Sequence, residues 1–341
     1  MEVLDQHIGE RFAAYNADTV EFTAEMPDSS IDISVYSPPF SSLYIYSESE
    51  RDMGNVSSDE EFQAFYKVLL KDLHRVTKPG RLSCVHVKDL VYYSNASEDG
   101  SRGLRDFTGA CIQSHIEAGW AFHSRVTIWR CPVKEMTKSK PDGLLYKNFR
   151  TDSGRNRVGL PEYILVFRKW AEGMDENPIN HVPGLWPEWA GAGAAFVNRR
   201  VPNHDGLCDP LKLTDAKMRS DPRYAEALDI WQQWASPVWM DTRQTDVLNA
   251  QIARDDEAER HLCPMPLDLT DRCLRLWSNA NDVCFSPFMG VGSEGFAAMR
   301  AGRRFIGTEL KPAYYRQAVK NLLEMEAQSS GPSLLSLAGA A

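Results

Sequence analysis

A glycine-rich loop near the C-terminus constrains the fold of this chain more than any other feature. The surrounding pattern predicts three elements: a strand at 282–286, a helix at 293–301 and a second strand at 304–308. Gly290, Gly292 and Gly295 have the G-x-G-x-x-G spacing, which permits a tight turn and lets a ligand approach the bare backbone. Glu309 follows the second strand, where an acidic side chain can accept hydrogen bonds from both hydroxyls of a ribose.

The position of this loop limits what the rest of the chain can build. Only 32 residues follow Glu309, enough for one helix at 312–325 and a tail. A nicotinamide-dinucleotide domain would form most of its sheet after such a motif. The remaining strands must therefore come from the chain before the loop. This places the cofactor-binding half of the protein at the C-terminus and the other half at the N-terminus.

The N-terminal half shows strands alternating with helices. Its first clear strand is 30–36, and a helix starts at Ser58, because Glu61 completes a capping box. The apolar face of this helix is predicted to contain Phe62, Phe65, Tyr66, Leu69, Leu73 and Val76, and Pro79-Gly80 is predicted to end it. The elements that follow are a strand at 81–87, a helix at 104–118 and strands at 122–129 and 162–168. Such alternation indicates an α/β fold whose sheet contains parallel pairs.

A rigid turn, Ser37-Pro38-Pro39-Phe40, comes directly after the first strand. Two prolines cannot continue a sheet ladder, so the strand ends there. Open α/β sheets bind ligands at the carboxyl ends of their strands. A proline-fixed turn at that place would hold a carbonyl group and an aromatic ring in one orientation. The alternative interpretation is a proline turn with a buried Phe.

Composition changes along the chain predict its domain organisation. After residue 171, Pro, Gly, Trp and Asn become frequent and apolar periodicity is poor until a predicted helix at 224–234. We therefore predict a catalytic half at 1–170, an insert at 171–250, a cofactor-binding half at 251–325 and a disordered tail at 326–341. Tryptophans in the insert are expected to form a small core of its own.

The charge distribution bears on the type of partner. The net charge of −9 disfavours nucleic acid, but residues 125–157 carry nine basic residues against three acidic ones. This segment, with Lys134, Lys138 and Lys140, suits a loop that contacts phosphates; a solvated charged loop is the alternative. Arg199 and Arg200 form a second basic site in the insert, and arginine can contact guanine edges.

Other classes of protein are disfavoured by simple features. Hydrophobic residues make up 43% of the chain, yet no apolar run approaches the roughly 18 residues that span a bilayer. The acidic N-terminus lacks the apolar region of a signal peptide. The seven cysteines form no C-x-x-C pair, so we expect reduced thiols in a cytoplasmic protein. The histidines lack ligand spacing, so we predict no metal site.

Taken together, the turn and the loop resemble motifs IV and I of the AdoMet-dependent DNA methyltransferases that modify exocyclic amino groups. The match of Pro287-Phe288-Met289-Gly290-x-Gly292 followed by Gly302-Arg303-Arg304-Phe305-Ile306-Gly307-Thr308-Glu309 is specific. The order of turn, insert and glycine loop is that of the permuted β group, and the whole chain looks like its solitary, prophage-type members. The family usually has Asp where this chain has Ser286, and that Asp contacts the methionine end of the cofactor. In this chain, backbone groups could replace the contact.

The resemblance implies a fold and a set of site residues. The fold would be a circularly permuted, seven-stranded, mostly parallel sheet with helices on both faces, and the insert at 171–250 would recognise the target sequence. Residues expected to bind S-adenosyl-L-methionine are Asp18, Ser37, Ser286, Pro287, Phe288, Gly290, Gly292 and Glu309. Residues expected to bind duplex DNA are Tyr44, Tyr46, Lys134, Lys138, Lys140, Arg199 and Arg200. Because β-group enzymes are often homodimers, a homodimer is expected as well.

The activity implied by the resemblance is methylation of an exocyclic amino nitrogen on a base flipped out of the duplex. Ser37 Oγ and the Pro38 carbonyl would accept its hydrogens, and Phe40 would stack on the base. Adenine-N6 is slightly favoured over cytosine-N4, although Ser in the turn leans towards cytosine. The absence of a Pro-Cys pair disfavours cytosine-C5 chemistry. A nicotinamide-dependent oxidoreductase and an inactive DNA-binding regulator remain as alternatives from other classes.

Overall fold

A computed structural model describes residues 2–39, 53, 56, 58–94, 99–138, 143–154, 156–171, 177–181, 233–248 and 264–330. Its strands are β1 (Val3–Ile8), β2 (Phe12–Ala17), β3 (Ile31–Tyr36), β4 (Thr77–Val87), β5 (Leu90–Tyr92), β6 (Gly103–Arg105), β7 (Ala121–Ile128), β8 (Glu162–Arg168), β9 (Val238–Trp239), β10 (Val283–Ser286) and β11 (Arg304–Thr308). Its helices are α1 (Thr19–Glu25), α2 (Asp59–Val76), α3 (Phe107–Glu117), α4 (Pro132–Lys138), α5 (Tyr146–Thr151), α6 (Leu267–Trp277), α7 (Ser293–Arg300) and α8 (Pro312–Ser330).

The main sheet of the described residues has nine strands in the order β1-β2-β11-β10-β3-β4-β8-β7-β9. Neighbours from β2 to β4 run parallel, whereas β8 is antiparallel to both β4 and β7. The seven strands from β2 to β7 correspond to the predicted mostly parallel sheet. β1 and the two-residue β9 extend it at its two edges. The C-terminal strands β10 and β11 lie between strands from the N-terminal half, as the position of the glycine loop requires.

Each face of the sheet is covered by its own helices. On one face α6, α7 and α8 enclose a core that includes Cys284, Ala297, Ala298 and Leu322. On the opposite face α1, α2 and α3 enclose a second core that includes Phe285. Adjacent strand residues thus point into different cores, as the two-residue period of a strand dictates. The predicted α/β fold with helices on both faces is confirmed.

α2 shows where local sequence rules succeeded and where they failed. Ser58 caps the helix as predicted, accepting a hydrogen bond from Glu61 N at 3.2 Å. Phe65, however, is exposed. The helix ends at Val76 rather than at Pro79-Gly80, and β4 begins at once. The register of β3 with β4 shifts here, and this irregularity accommodates a proline within a strand.

Part of the segment predicted as an insert packs on the main sheet. β9 pairs in parallel with β7, and Trp239 joins the core beneath α6. Arg272 of α6 is fully buried, lies over the rings of Trp234 and Trp239, and pairs with Asp241 at 2.8 Å. These two tryptophans, expected in a separate small core, therefore anchor residues 233–248 to α6. Most of the predicted helix at 224–234 lies outside the described residues.

Candidate active site

The described part of the proline turn, Ser37–Pro39, and the glycine loop, Pro287–Gly292, leave the same edge of the sheet. β3 and β10 are parallel neighbours, with Ser34 opposite Phe285. Their carboxyl ends therefore lie side by side. The ring of Tyr36, the last residue of β3, is 5.9 Å from the ring of Phe288 in the glycine loop. Two motifs far apart in sequence thus meet where open α/β sheets bind ligands.

Ser37 is held by a hydrogen bond that fixes the direction of its hydroxyl. Its Oγ donates to the backbone carbonyl of His86, at the end of β4, over 2.7 Å. A serine hydroxyl has one hydrogen and two lone pairs. Because the hydrogen is directed at His86, the lone pairs are left to accept hydrogen bonds from a substrate. Pro38 is buried and Pro39 half-buried, so the turn is supported from behind.

A partly buried cluster of charged and polar side chains lies next to this turn. His86 Nε2 is 2.8 Å from Glu162 Oε2, and Arg130 forms an ion pair with the same carboxylate. Burial, and then the charges of Arg130 and Lys88, lower the pKa of His86 to about 3. The imidazole is therefore neutral near pH 7 and donates its Nε2 hydrogen to Glu162. The cluster holds His86 in place, and the His86 carbonyl in turn fixes the Ser37 hydroxyl.

The glycine loop forms a tight turn whose backbone is open on one side. Gly290 and Gly292 adopt left-handed φ values of 53° and 86°, which favour glycine. Gly292 N donates to Met289 O over 2.7 Å. A Cβ built on Gly290 would meet no described atom within 4 Å. The backbone at Gly290 therefore faces open space that a ligand can enter.

Glu309 lies against this loop and directly follows β11, the strand after which the sequence predicted it. Its Oε2 accepts a hydrogen bond from Gly290 N at 2.9 Å, and its Oε1 accepts one from Lys311 N at 2.9 Å. Asn16, at the end of β2, donates from Nδ2 to the Glu309 carbonyl over 2.7 Å. These bonds fix the carboxylate beside the glycine loop, where it can still accept hydrogen bonds through its remaining lone pairs.

Asp18 caps a helix in the structure, whereas the family resemblance implies that it binds the cofactor. Its Oδ1 caps α1 and accepts hydrogen bonds from Val20 N at 2.8 Å and Glu21 N at 3.0 Å. Capping satisfies backbone donors at the start of a helix. A contact to a cofactor would therefore have to use the second carboxylate oxygen. The neighbouring Asn16 contributes to the site indirectly, through its hold on Glu309.

Comparison with known proteins shows the family to which this chain belongs. The profile of the family described as DNA methylase, N6_N4_Mtase, matches residues 31–320. The chain belongs to this family. The orphan methyltransferase M.BamHII of Bacillus amyloliquefaciens is 24% identical over 307 residues, covering 89% of this chain and 94% of that protein.

Two solved structures share the fold. TTHA0409 of Thermus thermophilus, a putative DNA modification methylase in complex with S-adenosyl-L-methionine, has 20% identity and a TM-score of 0.58 over 93% of this chain and 94% of that one. The cytosine-N4-specific PvuII DNA methyltransferase has 14% identity and a TM-score of 0.57 over 94% and 90% of the two chains. The cofactor of the family, and of this methylase, is S-adenosyl-L-methionine.

The residues around the glycine loop fit this cofactor. Ser286 Oγ and Ser293 Oγ are buried and have no hydrogen-bond partner among the described residues. Buried polar atoms are rarely left unpaired in a protein. Two such hydroxyls beside an open glycine backbone and a fixed carboxylate supply the polar groups that an amino acid joined to a nucleoside would need.

The other predicted site residues are less fully described. Lys134 is exposed on α4, and Lys138 is the last residue of that helix. Residues that lie outside the described part of the chain are Phe40, Tyr44, Tyr46, Lys140, Arg199 and Arg200. Within the predicted basic segment, Arg130 is engaged by Glu162, and Arg125 lies over the ring of Tyr163 at 5.6 Å. Of these two arginines, only Arg130 has its charge compensated by an acidic residue among those that the structure describes.

Several features of the site were not predicted. Neither the cluster of His86, Glu162 and Arg130 nor the buried Glu294 in the first turn of α7 was assigned a role. An acidic residue directly after the small residues of a glycine loop was the available signal for Glu294. Among the described residues, no group of three or more His, Cys, Asp or Glu side chains could hold a metal ion. None of the described helices is long and apolar enough to cross a membrane.

Proposed function

We propose that this DNA methyltransferase transfers a methyl group to the exocyclic amino nitrogen of a base flipped out of duplex DNA at a specific sequence, with adenine-N6 preferred. The observation that carries the proposal is the orientation of Ser37. Its hydroxyl hydrogen is directed at the His86 carbonyl over 2.7 Å, so the oxygen acts as an acceptor. An amino group is the substrate that such an acceptor binds.

The chemistry of an amino group on a base explains why acceptors are needed. The lone pair of this nitrogen is delocalised into the ring, which makes the nitrogen a poor nucleophile. Acceptors near its N–H groups draw the nitrogen towards tetrahedral geometry and localise the lone pair. Ser37 Oγ and the Pro38 carbonyl are suited to this, and the paired prolines hold them in place. Such positioning supplies much of the rate acceleration, and no covalent enzyme intermediate is required.

The sheet order β11-β10-β3 supports one direction for the bound cofactor. When bound, S-adenosyl-L-methionine supplies a methyl group made electrophilic by the attached sulfonium. Glu309, beyond β11, would accept hydrogen bonds from the ribose, and Pro287, Phe288, Gly290 and Gly292 would line the path beyond β10. The cofactor would thus extend towards Ser37 at the end of β3.

The preference for adenine rests on the likeness of the whole chain to solitary, prophage-type β-group enzymes. Cytosine-N4 is the second candidate, because Ser rather than Asp or Asn stands in the turn. Both bases present an exocyclic amino group, and Ser37 can accept from either. Membership of the methylase family removes the nicotinamide-dependent alternative, since the cofactor is S-adenosyl-L-methionine.

The deciding experiment is nucleoside analysis of methylated plasmid. DNA incubated with enzyme and cofactor is digested to nucleosides and examined by mass spectrometry, with the Ser37→Ala variant as control. We expect N6-methyldeoxyadenosine from the wild type and a strongly reduced yield from the variant. N4-methyldeoxycytidine would instead establish the second candidate. If neither product formed although the protein bound both cofactor and DNA, the inactive-regulator alternative would replace the proposal.

A further inference from the structure

Glu294 is a buried acid at the start of α7 to which the proposed reaction gives no role. Only 3% of the residue is exposed. It lies on the same helix face as Ala297 and Ala298, three and four residues on, which contribute to the core shared with Cys284 of β10. The carboxyl group is close enough to Cys284 for its charge to help raise the pKa of that thiol. Glu294 therefore lies between α7 and β10.

Ser286 lies on the same side of β10. Side chains two apart on a strand share a face, so Ser286 follows Cys284 and points towards α7, whereas Phe285 enters the opposite core. Ser286 and Ser293 are buried, and their hydroxyls have no partner among the described residues. Three buried polar side chains thus surround the start of α7 directly beside the glycine loop.

Among the described residues, no basic side chain favours the charged form of this buried carboxyl group. Burial together with the nearby Glu309 raises the pKa of Glu294 to about 8. A hydrogen bond from the backbone N–H of Glu294 partly offsets this effect, because it lowers the pKa. An ionisable group buried without a charge partner is costly to the folded protein, and groups of this kind concentrate at functional sites.

The sheet order indicates which part of the cofactor lies nearby. Glu309 follows β11 and Ser37 follows β3, while β10 lies between these strands. The ribose belongs beside Glu309, and the methyl group must reach a base beside Ser37. The methionine part of the cofactor, with its ammonium and carboxylate groups, therefore passes over the end of β10, next to Ser286 and the start of α7.

We propose that Glu294 supplies the carboxylate that binds the ammonium group of the cofactor, in place of an acidic residue at position 286. Ser286 and Ser293 provide hydroxyls for the rest of the amino-acid end. The N-terminus of α7 favours the cofactor's negatively charged carboxylate there. The acidic partner of the ammonium group thus lies in the first turn of α7 and not at the end of β10. The small side chain of Ser286 leaves room for it.

The test compares two ligands that differ in the amino-acid end. S-adenosylhomocysteine carries the ammonium group, whereas 5′-methylthioadenosine keeps the nucleoside and the sulfur but lacks the amino acid. Binding is measured by calorimetry without DNA. Glu294→Gln should weaken S-adenosylhomocysteine at least tenfold and leave 5′-methylthioadenosine within twofold. The double variant Ser286→Asp, Glu294→Gln, which returns a carboxylate to the strand end, should recover most of the lost affinity.

Proton release provides an independent readout. An ammonium group next to Glu294 lowers the pKa of the carboxyl from about 8, so binding at pH 7 should release most of one proton. Titrations in two buffers of different ionisation enthalpy measure this release. We expect it for the wild type with S-adenosylhomocysteine, and not for Glu294→Gln or for 5′-methylthioadenosine.

Two results would overturn the assignment. Unchanged affinity of Glu294→Gln for S-adenosylhomocysteine would show that the carboxyl does not contact the ligand. An equal loss for both ligands would show a structural role in shaping the loop, and a lowered melting temperature of the free variant would accompany it. Because DNA is absent from these measurements, their failure leaves the proposed methylation of a base untouched.

Discussion

The carboxylate of Glu309 and the backbone N–H of Gly290 are joined by a hydrogen bond of 2.9 Å across the mouth of the glycine loop. A second bond, from Lys311 N to the other carboxylate oxygen, leaves little freedom for rotation of the acid. The side chain is therefore oriented before a ligand arrives. Preorganisation of this kind reduces the cost of binding, because less freedom is lost in the complex.

Replacing Glu309 tests its predicted contact with the ribose. We expect Glu309→Ala to weaken binding of S-adenosyl-L-methionine roughly tenfold or more, because charge-assisted hydrogen bonds contribute about 1.5–3 kcal/mol. Glu309→Gln keeps one acceptor and should lose less. Isothermal titration gives the dissociation constants, and thermal unfolding shows whether the loop has been damaged. A dissociation constant unchanged in the alanine variant would contradict the assigned role.

Ser37 should affect turnover and not cofactor binding. Without its Oγ, the amino group would lack an acceptor in the transition state, and we expect methyl transfer to slow by roughly tenfold to a hundredfold, about 1.4–2.8 kcal/mol. Single-turnover assays with labelled cofactor measure the rate. Ser30→Ala is the matched control, since its Oγ only donates to the Pro27 carbonyl at an exposed turn. Equal rates for the two variants would remove Ser37 from the mechanism.

Phe40 is predicted to stack on the flipped base. We expect Phe40→Ala to cripple methylation while the affinity for S-adenosyl-L-methionine stays nearly unchanged, because stacking on a base contributes roughly 1–3 kcal/mol. Phe40→Tyr keeps a ring and should retain most of the activity. Calorimetry and methylation assays are run on the same preparations. If affinity for the cofactor fell as far as turnover, Phe40 would be a packing residue.

The sequence predicted the parts of the site that depend on local rules. The glycine spacing placed Glu309 at the loop, and the two prolines placed Ser37 at the end of a strand. Both rules act within a few residues, so no knowledge of the tertiary structure was needed. The contact between the rings of Tyr36 and Phe288 was not predicted, because it depends on which strands are neighbours in the sheet.

The missed elements depend on contacts between distant segments. β1 is mostly exposed and lacks an alternating apolar pattern. Its own residues therefore do not predict a strand, which forms by pairing with β2 at the edge of the sheet. The irregularity at Pro79-Gly80 reflects pairing of β4 with β3, which overrides the helix-ending signal. α8 extends to Ser330, five residues past its predicted end, because Glu326, Ala327 and Gln328 favour a helix and carry no stop signal.

Arg272 provides a test of how residues 233–248 are anchored. Its guanidinium is fully buried and pairs with Asp241, itself only 6% exposed. Removing one partner of a buried pair leaves a lone charge, so Arg272→Ala should reduce the free energy of unfolding by about 3–5 kcal/mol. Arg300→Ala is the control, because its pair with Asp271 is longer, at 3.6 Å, and the arginine is 36% exposed. Asp271 is only 3% exposed, but it also pairs with Arg275 at 2.8 Å, so removing Arg300 leaves no lone charge. We therefore expect a loss of about 0–1 kcal/mol, as for exposed pairs. Similar losses in denaturant titrations of the two variants would contradict the anchoring role.

The basic residues on and after α4 are predicted to contact DNA phosphates. Neutralising Lys134, Lys138 and Lys140 should weaken binding to all duplexes alike. It should also lower the slope of log affinity against log salt by about 0.9 for each phosphate that the variant no longer neutralises. Arg199→Ala and Arg200→Ala should instead relax sequence preference, because base contacts specify the site while phosphate contacts position the protein.

Fluorescence anisotropy on cognate and scrambled duplexes at several salt concentrations separates these two effects. Lys320→Gln, which removes an exposed charge from α8, is the control and should leave the salt slope unchanged. A triple-lysine variant with the wild-type slope would show that this segment faces away from DNA. The expected homodimer bears on the same measurement, because two protomers present two copies of the segment and so double the phosphate footprint. Light scattering at micromolar concentration should give twice the protomer mass. A mass of one protomer would contradict the homodimer, and the salt slope would then come from a single copy of the segment.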